Sequence, residues 1–143
     1  MGKVDDVAAA IIERTGAIDT WKLQKLVYYC QAWHLVWDSE PLFTDRIEAW
    51  ANGPVVPALY RTHRGQYRVM SWSKGNSSNL RPNELESIEA VLDTYAPKSG
   101  QWLAALSHRE DPWRNARRGY APGQRGSREI TKEAMLRYYG SLV

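Results

Sequence analysis

Between Lys22 and Leu35 apolar side chains recur on nearly every face of a projection at roughly 100° per residue. Leu23, Leu26, Val27, Cys30, His34 and Trp37 form one face, while Tyr28, Tyr29, Ala32, Leu35 and Val36 cover much of the other. A helix that is apolar all round must be enclosed by protein or by lipid. Lys22, Gln24, Lys25 and Gln31 interrupt the run far short of the roughly 20 residues that cross a bilayer. The pattern therefore predicts a central helix of a soluble fold, capped by Asp19 or Thr20 and fading at Asp38-Ser39.

On either side the periods are those of smaller elements. Val4, Val7, Ala8 and Ile11 share a helical face over residues 4–14, and Gly16 ends that helix. Phe43 and Ile47–Trp50 read as extended, Asn52-Gly53-Pro54 as a turn, and Pro57 as the first turn of a short helix reaching Thr62 or His63. Tyr67–Trp72 alternates like a strand, so two short strands can pair as a ribbon, and Ser73–Pro82 is a solvent loop. Asn83 and Glu86 have capping-box spacing before a helix with Leu85, Ile88, Leu92 and Tyr95 on one face. Ser99–Ser107 continues as helix with Trp102, Ala105 and Leu106, and Asp111-Pro112 opens another that stops at Gly119. Tyr120–Arg128 is a loop. Thr131 caps a last helix with Ala134, Met135, Tyr138 and Leu142 on its face and Leu136 and Tyr139 opposite. The expected fold is mainly α: one compact helical domain over residues 1–143 around a buried central helix, with a small β ribbon.

Seven Trp and eight Tyr against a single Phe favour aromatics with a polar handle, and buried handles require hydrogen-bond partners. Trp33, Trp37, Trp50, Trp102 and Trp113 sit among apolar neighbours and are read as core. Trp21, Trp72, Tyr120 and Tyr139 are placed where exposure is expected. Cys30 is the only cysteine, so no intrachain disulfide forms, and its place in the apolar run makes it a small buried hydrophobe. No apolar signal region opens the chain, and Met1-Gly2 lacks the Ser or Thr at position 6 that myristoylation uses, so the cytoplasm is the expected location. Residues 98–143 carry nine basic and four acidic side chains, with an arginine cluster at Arg109, Arg114, Arg117, Arg118, Arg125 and Arg128. Such a patch can attract an acidic protein surface or nucleic acid.

Four blocks in order carry a family resemblance. They are Lys22-Leu-x-Lys-Leu-x-Tyr-Tyr-x-Gln-x-Trp-His34, then Glu48-Ala49-Trp50 with Asn52-Gly53-Pro54-Val55-Val56-Pro57-Ala58-Leu59-Tyr60, then Ser107-His108-Arg109-Glu110-Asp111-Pro112-Trp113 with Ala116-Arg117, and finally Tyr138-Tyr139. This series resembles the Panacea, or SocA-like, antitoxin domain. The resemblance implies a protein that neutralises a toxin encoded beside it, by masking the toxin or by presenting it to a host protease, in settings such as phage or mobile-element defence. It also implies that Lys25, Tyr29, Trp33, His34, Trp50, Gly53, Pro54, Tyr60, His108, Glu110 and Trp113 define a shared scaffold. Partner specificity then falls to loops and exposed edges. The toxin contacts expected there are Arg117, Arg118, Tyr120, Arg125, Leu136 and Tyr139.

Other chemistry finds little footing. His34, His63 and His108 lie far apart and form no metal-ligand spacing, and no phosphate loop, nucleophile elbow or CxxC is present, so neither a metal nor a cofactor nor catalysis is expected. His34 reads as a core histidine bonded to a neighbouring Tyr or Gln. His108 and Glu110 are a possible acid–base pair on paper, but the segment also reads as a helix junction whose side chains bond backbone groups. A nucleic-acid-binding regulator using the basic C-terminal third is the alternative function; the modest net charge of +3 and the lack of a reading module stand against it.

Overall fold

A computed structural model describes residues 3–143; the Met1-Gly2 pair considered above for acylation lies outside the described residues. The expected mainly α architecture is what it shows. Helix α1 (Lys3–Thr15) is followed by strand β1 (Ile18–Asp19) and by the central helix α2 (Thr20–Asp38). A hairpin of β2 (Ile47–Trp50) and β3 (Gly53–Val55) leads to α3 (Pro57–His63) and β4 (Arg68–Val69). Then come α4 (Pro82–Tyr95), α5 (Gly100–Arg109), α6 (Asp111–Ala116), β5 (Glu129–Ile130) and α7 (Lys132–Gly140).

α2 begins where Asp19 accepts the backbone N–H of Lys22 at 2.7 Å. It ends where Ser39 turns left-handed (φ 58°) and donates its N–H to Leu35. Its residues from Leu23 to Ala32 are buried without a break, with α1, α4, α5, α7 and β3 around them. The two glutamines that break its apolar run have structural work. Gln24 accepts the N–H of Val56 at 2.8 Å and donates to the Val56 carbonyl at 3.3 Å. Seven residues on, Gln31 accepts the N–H of Leu42 at 2.7 Å and donates to the Phe43 carbonyl at 2.8 Å. Two buried amides thus stand in for strand partners and fasten the irregular segments to the helix.

The strands differ from the expected ribbon. β2 pairs antiparallel with β3, in register Glu48↔Val55 and Trp50↔Gly53, and with β5, in register Ile47↔Ile130. Tyr67–Trp72 contributes only β4, which pairs with β1 instead (Ile18↔Val69). The capping box of α4 sits two residues earlier than the spacing suggested. Arg81 is the N-cap, and the Glu84 carboxylate accepts its N–H at 2.8 Å, because Pro82 already occupies the first turn. α6 takes Glu110 as its N-cap position, so Asp111 is already its first residue and Pro112 lies in its first turn.

Several aromatic expectations reverse. Trp37 is 46% and Trp102 is 42% exposed. Trp72, expected outside, is buried with its indole N–H donated to Asp5 at 2.9 Å. On α7 the buried residues are Met135 and Tyr139, while Leu142 is exposed. Among the described residues no helix is long and apolar enough to cross a membrane.

Candidate functional site

The motif residues interlock where α2, the β2–β3 hairpin, α5 and α6 meet. Trp50 packs edge-on against Tyr60 with centroids 5.0 Å apart, and its carbonyl accepts the indole N–H of Trp113 at 2.9 Å. His108 stacks flat on Trp113 at 3.9 Å. His34 is a core histidine as expected, but its partner is the Ser87 hydroxyl at 2.8 Å, not a Tyr or Gln. The Trp33 indole donates to the Tyr95 hydroxyl at 3.1 Å. Burial is the first cause of the lowered proton affinity of His34, His63 and His108, so each is held below the ordinary histidine range.

Glu110 closes the other side of this junction. Its Oε1 accepts hydroxyl hydrogens from Tyr29 and Tyr139, both at 2.7 Å, and Tyr139 lies 3.0 Å from the hydroxyl of Tyr28. Burial raises the Glu110 carboxyl above its usual range, with the two tyrosine bonds working in the opposite direction. Glu110 is therefore spent inside a tyrosine cluster, whereas His108 faces a cavity on which Glu110 does not border. The two do not form an acid–base pair in one pocket.

That cavity, of about 500 Å³, is built by spacing. Trp21 and Lys25, one turn apart on α2, form one wall. Gly100, Ala104 and His108, at i, i+4 and i+8 on α5, form another, with Asn52 of the hairpin turn beside them. Two small residues leave the space and the histidine ends the stripe. Lys25 is 1% exposed, and its Nζ has no hydrogen-bond partner. His108 Nε2 is buried and unpartnered as well. Burial lowers the Lys25 ammonium to about 8, against a smaller upward pull from Asp19. Its nearest aromatic support is the Trp21 ring, 5.4 Å from Nζ. Gly53, at φ +127°, is where the lysine stem passes: a Cβ there would meet Lys25 Cε at 2.5 Å. A second depression of about 450 Å³ shares Trp21 and Asn52 and adds Trp50, Glu48 and Arg125.

The six expected contact residues do not stay together. Arg117 is 8% exposed, donating to the carbonyls of Ala49 at 3.2 Å and Gln124 at 2.6 Å, and Tyr139 is fully buried in the tyrosine cluster. Neither presents a side chain to a partner in this structure, because each is spent on internal hydrogen bonds. Arg118, Arg125 and Leu136 are exposed, and Tyr120 is half-buried. The Tyr120 ring lies 4.8 Å from the Arg117 guanidinium and 4.7 Å from that of Arg128, which itself donates to the carbonyls of Ala116 and Arg118. Much of the basic cluster thus folds the loop it sits in. Arg125 reaches the second depression, and Leu136 lies apart on α7. Asn52, Gly100 and Ala104 were not singled out as site residues from sequence; the signal was the small-x-x-x-small-x-x-x-His stripe on α5. Among the described residues no group of three His, Cys, Asp or Glu side chains could hold a metal ion.

The stretch that carries these motif residues, 23–114, matches the family of antitoxin SocA-like, Panacea domains. The chain belongs to that family. It is 32% identical over 124 residues to the Antitoxin SocA of Caulobacter vibrioides (strain NA1000 / CB15N), an alignment covering 75% of this chain and 66% of the relative. The chain therefore spans just under two thirds of that relative's length. No solved structure matches it at a significant level.

Proposed function

We propose that the chain is the antitoxin of a toxin–antitoxin pair in the cytoplasm, neutralising its cognate toxin by direct, stoichiometric binding and not by catalysis. The observation that carries this reading is membership of the antitoxin SocA-like family across residues 23–114. The contact face we assign runs from Trp21 and Trp50, across the 450 Å³ depression, to Arg125, Tyr120 and Arg118. Trp, Tyr and Arg beside a concavity are the residue types that dominate binding energy at interfaces. Binding there serves either route of neutralisation, covering the toxin or handing it to a protease. The nucleic-acid reading has less support, since Arg117 and Arg128 donate to backbone carbonyls and Arg114 pairs with Asp111 at 2.8 Å.

Co-expression with the protein encoded next to it is the test. Growth should be arrested by the neighbour alone and restored by this chain, and the pair should co-purify. With Arg118→Glu and Arg125→Glu together, rescue and co-purification should be lost while the circular dichroism stays unchanged. A neighbour that is harmless alone, or that kills regardless of this chain, would end the antitoxin reading.

A further inference from the structure

The Lys25 ammonium has no partner that the fold supplies. A buried cation is normally paired, because leaving it alone forfeits its hydration with nothing in return. The neighbouring polar side chains buried in α2 have partners, Gln24 in Val56, Gln31 in Leu42 and Phe43, Tyr29 in Glu110 and His34 Nδ1 in Ser87, and besides Lys25 only His34 Nε2 on this helix goes without one. Lys25 has only the Trp21 face. The carboxylate of Asp19 borders the same cavity but lies beyond ion-pairing distance and is engaged as the cap of α2. His108, whose Nε2 is also unpartnered, lines the same cavity, and the start of α5 contributes Ser99 and Gly100 to the lining. A helix N-terminus favours negative charge. Gly53 keeps the space through which the lysine stem reaches this point.

We propose that this cavity is a binding site for an organic carboxylate, ion-paired with Lys25 and accepting a hydrogen bond from Nε2 of His108 in its protonated form. Three features select the class. One ammonium with the Asp19 carboxylate nearby suits a single negative charge and opposes a phosphate dianion. A volume of about 500 Å³ is that of a small-molecule pocket and exceeds what a bare inorganic ion fills. The rings of Trp21 and Tyr67 flank the cavity and suit an organic body behind the carboxylate. Lys25 and His108 both line the cavity, with Nζ and Nε2 buried and without a partner, and Tyr67, 74% exposed, stands at its edge. The carboxylate can come from a free acid or from an acidic residue of a bound protein; the chemistry at Lys25 is the same, and it does not depend on the antitoxin reading.

The test uses the full chain alone, labelled for NMR, with the Lys25 13Cε and His108 ring signals followed during separate titrations with acetate, benzoate and inorganic phosphate at constant ionic strength. Benzoate and acetate should shift both signals saturably and raise the Lys25 pKa by about one unit or more. Benzoate should bind more tightly than acetate, phosphate more weakly than either, and affinity should fall as pH rises past the lysine's titration. Lys25→Met, with an otherwise unchanged amide spectrum, should abolish the saturable shift at His108. No saturable change with either carboxylate, or the same change in Lys25→Met, would overturn the proposal; the wild-type titration decides it even if that variant does not fold. Repeating the titration on the purified complex locates the source. A Lys25 pKa already raised and insensitive to benzoate assigns the carboxylate to the partner, and retained benzoate binding assigns it to a free acid.

Discussion

At the scale of single residues, the sequence placed Lys25 in a motif, but only the fold shows that its ammonium is unsatisfied. Whether a partner exists is decided by Asp19, Asn52 and α5, which lie 6 to 83 positions away in sequence. The lowered lysine has a definite sign. The unfolded chain holds the Lys25 proton up to about 10.5 and the folded one only to about 8, so folding stability rises with pH between those values. Below about 8 the buried ammonium costs on the order of 3 kcal/mol. Lys25→Met should therefore stabilise the protein at pH 7 by roughly 1–3 kcal/mol, with the gain shrinking towards pH 10.5, as urea titrations at several pH values would measure. Glu110 behaves differently. Glu110→Leu leaves the hydroxyls of Tyr29 and Tyr139 without their acceptor and should cost about 2–4 kcal/mol, while Glu110→Gln, which keeps an acceptor oxygen, should cost less than half of that in the same assay. Tyr139 was misjudged from sequence because its helix offers two comparable faces. The ring packing against Tyr28, Tyr29 and Trp33, which sequence spacing does not encode, selects between them.

Elements were legible to the extent that their cause is local. α1, α2, α3 and α7 follow from period, caps and proline placement, and the Asp19 and Thr131 caps stand where the chain suggested. β4 falls inside the alternating Tyr67–Trp72 run, but β1 and β5 were not legible, because β1 exists only through pairing with β4 some 50 residues on, and β5 only through its register with β2. The 120–128 loop looked like free surface from its glycines and arginines. In the fold it is ordered by stacking of Tyr120 on Arg117 and Arg128, with Gly126 pressed against the ring where a Cβ would collide with Tyr120. Gly126→Ala should displace Tyr120 and loosen the Arg125 side of the depression. Hydrogen exchange should then quicken over 117–128 and not in α2. Gln24→Leu tests the other kind of ordering. It strips the Val56 N–H of its acceptor, while the Val56 carbonyl keeps Leu59 and Tyr60, and should destabilise by about 1–3 kcal/mol, with faster exchange at α3.

For the whole molecule, the mainly α architecture could be inferred from one enclosed helix, while the direction of every exposed face awaited packing. The pH profile is a property of the assembly. His34, His63 and His108 are all held below 6.5, so the unfolded chain takes up protons first as pH falls, and stability rises with pH up to that point. Lys25 extends the rise above 8, and raised Glu110 opposes it only above its unfolded value of 4.5. Stability should be greater at pH 9 than at pH 6, as thermal melts at matched ionic strength would show. The family match stops at residue 114, yet Tyr139 on α7 supplies a hydroxyl to the same Glu110 that Tyr29 reaches from α2. Anyone grafting a foreign tail onto a member of this family inherits that latch. A hybrid joined upstream of α7 keeps the latch where the donor tail brings a tyrosine in the same register, whereas exchange of the 120–128 loop leaves it intact and is the better place to begin.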